Sequence, residues 1–148
     1  MVSEKRRDVR ICSVTFGSQW GGRLREDIIK NDPENWAAFR DDVRNFRLDG
    51  GAFAPVLDCW ERARRCWDAV RSDAREADAG NIFVMCHGGI GKMMVMQALG
   101  IDVDEYASRG ELAFENAGAF AVEWKDGDDK ATRWRKVHPG ETCWESVS

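Results

Sequence analysis

Residues 81–94 read NIFVMCHGGIGKMM. An apolar run ends in Cys-His-Gly-Gly, and a lysine then opens a second apolar run. The first run, residues 82–86, lacks polar alternation, as expected of a strand buried on both faces of a parallel sheet. The second, KMMVMQAL at residues 92–99, reads as a buried helix stopped by Gly100. Glycines just past a strand let backbone N–H groups approach an anion closely, and a helix that follows adds its positive end. His87, at the carboxyl end of the strand, sits where α/β folds place ligands. A tight strand-to-helix turn with an incidental histidine fits the same residues.

Upstream lies the strongest helical pattern of the chain. Phe53, Val56, Leu57, Trp60, Ala63, Trp67, Val70, Ala74 and Ala77 recur at helical spacing, with Arg, Asp and Glu between them and Gly80 as the stop. The breaker LDGG, residues 48–51, precedes this helix. Before it, DVRICSVTF at residues 8–16 reads as a strand or extended arm, and GSQWGG at residues 17–22 as a turn. RLREDIIK, residues 23–30, makes two helical turns. Asp32 then supplies an N-cap and Pro33 a first helical position for ENWAAFRDDVRNF. Downstream, residues 102–108 form a short helix. AGAFAVEW (117–124), the turn KDGDD and KATRWRKV (130–137) make a β-hairpin, with Phe120, Val122 and Trp124 on one face. The order strand, helices, strand, helix, hairpin points to α/β with a mixed sheet.

The 148 residues suit one domain. A net charge of −4 gives no general reason to expect nucleic acid, and Arg133, Arg135 and Lys136 around Trp134 read as a solvated strand face. Arg62, Arg64 and Arg65 fall on the wet side of the long helix. Seven tryptophans call for apolar burial and indole partners, so most are structural; Trp144, in the tail at residues 139–148, is the exception. No run approaches the roughly 18 apolar residues of a membrane span, and no signal segment opens the chain, which implies a cytoplasmic location. The five cysteines follow no zinc-ligand spacing. Cys59 and Cys66 are seven apart on one helix, about 10.5 Å, beyond disulfide reach. Reduced thiols follow, and no metal or other cofactor is called for.

Three chemistries compete at the glycine-rich turn. A Walker A loop needs Gly where Cys86 stands and Ser or Thr where Met93 stands, so it fails. A cysteine phosphatase loop matches in spacing, from Cys86 across five residues to Lys92, but lysine lacks the planar fork that arginine presents to a phosphoryl group. The third is a resemblance. NIFVMCHGGIGKMMVMQALG resembles the second-histidine motif of the histidine phosphatase superfamily, the group containing phosphoglycerate mutase: an apolar strand, a small residue, His-Gly-Gly, then a helix running to Leu-Gly. FGSQWGGRLREDIIKNDPENWAAF resembles the family's Phe-Gly turn and Asp-Pro helices, NFRLDGG its Gly-Gly junction, and ENAGAFAVEW its Asn before the final strand. The four pieces occur in the family's order.

The resemblance implies a three-layer phosphoglycerate mutase-like α/β fold with a mixed, mainly parallel sheet. In such proteins one histidine, in an Arg-His-Gly motif, accepts the phosphoryl group. A second histidine and two arginines hold its oxygens, and a glutamate moves the proton. Carried over, His87 is the second histidine and the catalytic candidate of this chain, Gly88 and Gly89 form the turn, and Asn116 is the pocket asparagine. The implied partner is inorganic phosphate or a phosphorylated small molecule. The other catalytic positions have no counterpart. No Arg-His-Gly occurs, the only other histidine is His138, Ala52 and Phe53 stand at the Gly-Gly-Glu-Ser junction, and Gly21 replaces the Trp-Glu-Gly glutamate. The expectation is a truncated or divergent member, lacking the usual first strand and impaired in catalysis. A non-catalytic interaction or metabolite-sensing module on the same scaffold is the alternative, and a Cys86-based phosphatase a remoter one. Without that first strand, residues 82–86 need a neighbour: residues 8–14, another chain as in a homodimer, or a segment of a longer product.

Overall fold

The computed structural model describes residues 10, 12–78, 80–125 and 127–138. Five α-helices are described: α1 (Gly17–Trp20), α2 (Arg25–Asn31), α3 (Pro33–Asp41), α4 (Pro55–Glu76) and α5 (Gly88–Leu99). They are followed by an antiparallel hairpin of β1 (Ala119–Glu123) and β2 (Arg133–Val137), in register Ala119↔Val137 through Glu123↔Arg133. This combination of helices and sheet is compatible with the expected α/β fold.

The apolar spacing of α4 does what it implies. Val56, Cys59, Ala63 and Cys66 are buried, while Arg64 and Arg65 pair with Glu61 on the solvent side. Proline at the first helical position starts the helix, where its missing N–H has no intrahelical partner to lose. The helix ends at Glu76, before Gly80. Helix α5 is apolar nearly all round and correspondingly buried, with Ile90, Met93 and Met96 fully enclosed. Gly100 terminates it at φ 69°, its N–H reaching the carbonyls of Met96 and Gln97. Two side-chain bonds lock α4 to α5: Trp67 Nε1 donates to the Met94 carbonyl at 2.6 Å, and Gln97 Nε2 to that of Trp60 at 2.8 Å. Cys59 and Cys66 are both buried, and burial pushes the Cys59 thiol up to about 11.

The segment read as a turn at residues 17–22 coils into α1, because Asp49 in the LDGG turn holds it. The Asp49 carboxylate accepts from Ser18 N–H, Ser18 Oγ and Gln19 N–H, and Gln19 Oε1 accepts from Asp49 N–H in return. Above α1, Phe16, Trp20, Trp36, Phe39 and Phe46 form an aromatic cluster with ring centroids 5.1–6.1 Å apart.

Asp32 stands at the N-cap of α3 with Pro33 after it, as the sequence implies, but its side chain is used differently. Its carbonyl accepts the first bond of α3 from Trp36 N–H, but its carboxylate does not cap that helix. The carboxylate instead receives Trp20 Nε1 and Gln19 Nε2, each at 2.7 Å, and Asn35 Nδ2 at 2.9 Å. Burial alone would raise its pKa; the hydrogen bonds from Trp20, Gln19 and Asn35 outweigh that and hold it below the ordinary value of 3.8. A depressed folded-state pKa gives stability that is present above the unfolded value and lost as pH falls through the folded one. Asp32→Ala is therefore expected to cost about 1–3 kcal/mol at neutral pH, since it strands the Trp20 N–H. Urea unfolding of both proteins should show that gap closing in acid. An equal gap at acid and neutral pH would contradict this role.

Residues 82–86 depart furthest from expectation. No strand is assigned to them, and no backbone hydrogen bond joins 81–86 to any other described residue. Val84 and Cys86 pack against the core, whereas Ile82, Phe83 and Met85 are 44%, 69% and 78% exposed. The run is thus partly buried on one face, and among the described residues no strand lies beside it; the mainly parallel sheet is not formed among them, and their ladder is the hairpin alone. Of the extended arm expected at 8–16, residues 10 and 12–16 are described. The carbonyls of Arg10, Cys12 and Ser13 accept from the Arg62 guanidinium, which straps the arm to α4.

Candidate functional site

His87 is the N-cap of α5. Its extended backbone (φ −91°, ψ 155°) ends the unpaired run, and its carbonyl accepts the first helical bond from Gly91 N–H at 2.8 Å. The helix therefore starts at Gly88, four residues before the lysine where periodicity alone placed it. Glycine is a poor helix former, yet the first turn asks little of it and gains close packing in return. A Cβ at Gly89 would lie 2.9 Å from Val14 Cγ2, and one at Gly91 would lie 2.9 Å from Cys86 Sγ and 3.0 Å from the Phe114 ring. The N–H groups of Gly88 and Gly89 meet no acceptor among the described residues. The His87 side chain caps nothing and is exposed. An exposed imidazole thus stands at the positive end of a twelve-residue helix, beside two amides without an acceptor among the described residues.

Asn116 lies on the neighbouring turn. Phe114 touches α5 beside Gly88 and Gly91, and meets Phe120 of β1 in a tilted ring contact with centroids 4.7 Å apart. Asn116 follows two residues later, exposed, with no hydrogen bond to His87 among the described residues. His87, Gly88 and Gly89 are therefore consecutive at the head of α5, and no described contact joins Asn116 to them.

The other histidine belongs to a charged group on that turn. His138 Nδ1 lies 3.2 Å from Glu115 Oε1, and Lys136 Nζ lies 3.1 Å from the same oxygen. Lys136, then His138, hold the Glu115 carboxyl below the ordinary range. The hairpin's alternation put Lys136 on a solvated face, and nothing in the sequence tied it to a glutamate 21 positions earlier. Arg62 was equally hidden, one of three arginines on the wet side of α4.

Cys86 and Lys92, the ends of the cysteine phosphatase spacing, do not converge on an anion. Burial raises the Cys86 pKa, away from the thiolate such chemistry needs. Lys92 turns aside to the Tyr106 carbonyl at 2.6 Å and lies over the Tyr106 ring at 4.8 Å. Among the described residues no group of three or more His, Cys, Asp or Glu is placed to hold a metal ion, and no helix is long and apolar enough to cross a membrane.

The His-Gly-Gly turn thus sets an exposed imidazole at the head of α5. A family model, that of the histidine phosphatase superfamily (branch 1), matches residues 4–137. No curated protein and no solved structure matches the chain. With the match spanning nearly the whole sequence and the His-Gly-Gly turn set at the head of α5, the chain belongs to the histidine phosphatase superfamily.

Proposed function

We infer that this chain is an oxyanion-binding domain of phosphomonoesterase or phosphomutase ancestry, impaired in phosphoryl transfer. It holds inorganic phosphate or a phosphorylated small molecule at His87, Gly88 and Gly89, with Asn116 at the rim. The reading is supported by one observation: an exposed imidazole at the N-cap of α5, beside two amides that meet no acceptor among the described residues. A phosphoryl oxygen satisfies those donors and meets the positive end of the helix dipole, and a charged imidazole adds a hydrogen bond to the anion. Transfer needs more: a second imidazole to take the group and an acid for the leaving oxygen. The sequence carries two histidines, and His138 is placed against Glu115. Binding without turnover is also what a metabolite-sensing module requires.

Phosphate and 3-phosphoglycerate are expected to raise the melting temperature, by the equivalent of about 2.7 kcal/mol at 100-fold excess over Kd. His87→Ala should abolish that shift, and Asn116→Ala should weaken it. Thermal melts followed by tryptophan fluorescence measure both. A chain indifferent to every phosphorylated anion, or a shift that survives His87→Ala, would point to the scaffold alone.

A further inference from the structure

At the far end of α5 from His87, a cleft holds two polar atoms with nothing to bond. It lies between α4, the last turn of α5 and the hairpin, whose Ala131 N–H is tied to the Ala98 carbonyl at 2.7 Å. Gln97, on its wall, is about 15 Å along the helix from His87. The cleft has a volume of about 390 Å³. That falls within the roughly 300–1,000 Å³ of small-molecule sites. Trp60, Trp67 and Trp124 line it, the last two in an edge-to-face contact with centroids 5.0 Å apart.

Other indole N–H groups of the core have partners: Trp20 donates to Asp32, and Trp67 to the Met94 carbonyl. Trp124 Nε1 is buried and has none among the described residues. The Gln97 amide is fixed in orientation, because its Nε2 donates to the Trp60 carbonyl at 2.8 Å and a flip would set oxygen against oxygen. That bond leaves Gln97 Oε1, also buried, without a donor. The two orphans are opposite in kind, one donor and one acceptor, and both residues line the same cleft. Native structures leave few buried polar groups unpaired. A ligand that carries an acceptor and a donor on one edge supplies what both lack.

We propose that this cleft binds a free nucleoside, whose base lies against the indoles, accepts from Trp124 Nε1 and donates to Gln97 Oε1. An amino group beside a ring nitrogen, as in adenine, offers both functions on one edge. Aromatic rings stack on any base, so the tryptophans give affinity and the two polar atoms give selectivity. Charge favours a neutral ligand over a phosphorylated one: Asp68, Asp102 and Asp129 line the cleft against Arg64 and Arg71. Neither orphan is wetted in the free chain, and an entering ring reaches them by the side-chain adjustments common on binding. The site is independent of whether an anion binds at His87.

Isothermal titration calorimetry with adenosine, and with purine riboside, which lacks the amino group, reads the contact from the ligand's side. Adenosine should bind one per chain and purine riboside about tenfold more weakly, the loss of one hydrogen bond. Trp124→Phe keeps a ring and removes the N–H, and should weaken adenosine by about the same factor. Because that N–H has no described partner in the free chain, the variant should keep the native far-ultraviolet circular dichroism. Nuclear magnetic resonance gives a reading on the unmodified protein. Of the indole N–H signals from seven tryptophans, adenosine should move downfield the one that Trp124→Phe lacks. A chain that does not bind adenosine at millimolar concentration overturns the proposal. So does equal affinity for adenosine and purine riboside, which needs no variant to read, or adenosine binding that Trp124→Phe leaves unchanged.

Discussion

Purified protein incubated with a panel of phosphomonoesters is expected to turn over about 10⁶-fold more slowly than an enzyme holding the full catalytic unit, because groups that act together fail together. An imidazole that binds the transferred group cannot also accept it. The family's arrangement divides those tasks between two rings, and on the proposed reading this sequence offers one of them in the His-Gly-Gly turn and no Arg-His-Gly for the other. Electrostatic help is equally thin. Arg62 is spent on the carbonyls of residues 10, 12 and 13, Arg64 and Arg65 on Glu61, and Lys92 on Tyr106. On the proposed reading, a phosphoryl oxygen would still be oriented, while charge developing during transfer would go without stabilisation. Steady hydrolysis at ordinary enzyme rates, abolished by His87→Ala, would show that the missing groups are replaced from somewhere unforeseen.

Phe46→Ala should cost about 3–5 kcal/mol, the largest stability loss of any single truncation considered, because it empties the centre of the aromatic cluster. Phe46 is 1% exposed, with its ring 5.1 Å from Trp20 and 5.4 Å from Phe39. The damage extends toward the site. Phe16 leans on Trp20 and Phe39 at 5.8 Å each, and two residues before it Val14 packs against Gly89. Loosening the cluster therefore frees the arm that forms the floor of the turn. Urea unfolding measures the loss, with Leu24→Ala as the reference: at 67% exposure that side chain should change stability by no more than about 0.5 kcal/mol. A Phe46→Ala loss below about 1 kcal/mol would mean that the cluster is not a core.

What the sequence made legible followed periodicity and punctuation. Helix α4 was readable from its apolar stripe, and the hairpin from alternation on either side of KDGDD. The stop of α5 was readable from Gly100. The start of α5 was not, because three glycines in a row of five look like loop, and only packing against Val14, Cys86 and Phe114 gives them a place in a helix. Residues 82–86 show the opposite limit. A continuous apolar run says that burial would be favourable, not that a neighbour exists to provide it. Asp32 and Asp49 mark a third limit: local pattern shows an N-cap and a turn, yet their carboxylates also accept from residues 12 to 31 positions earlier. For the site, His87, Gly88 and Gly89 were legible because one turn carries all three. Asn116 came from resemblance, and the Glu115–Lys136–His138 group depends on how the hairpin folds back, which no local pattern records.

The most direct measurement is to incubate the protein with a reactive phosphoryl donor, quench in alkali, where phosphohistidine persists, and weigh the intact chain. The account predicts binding of the donor with no phosphoryl adduct on either histidine. A near-stoichiometric phosphohistidine, at His87 or at His138, would contradict it.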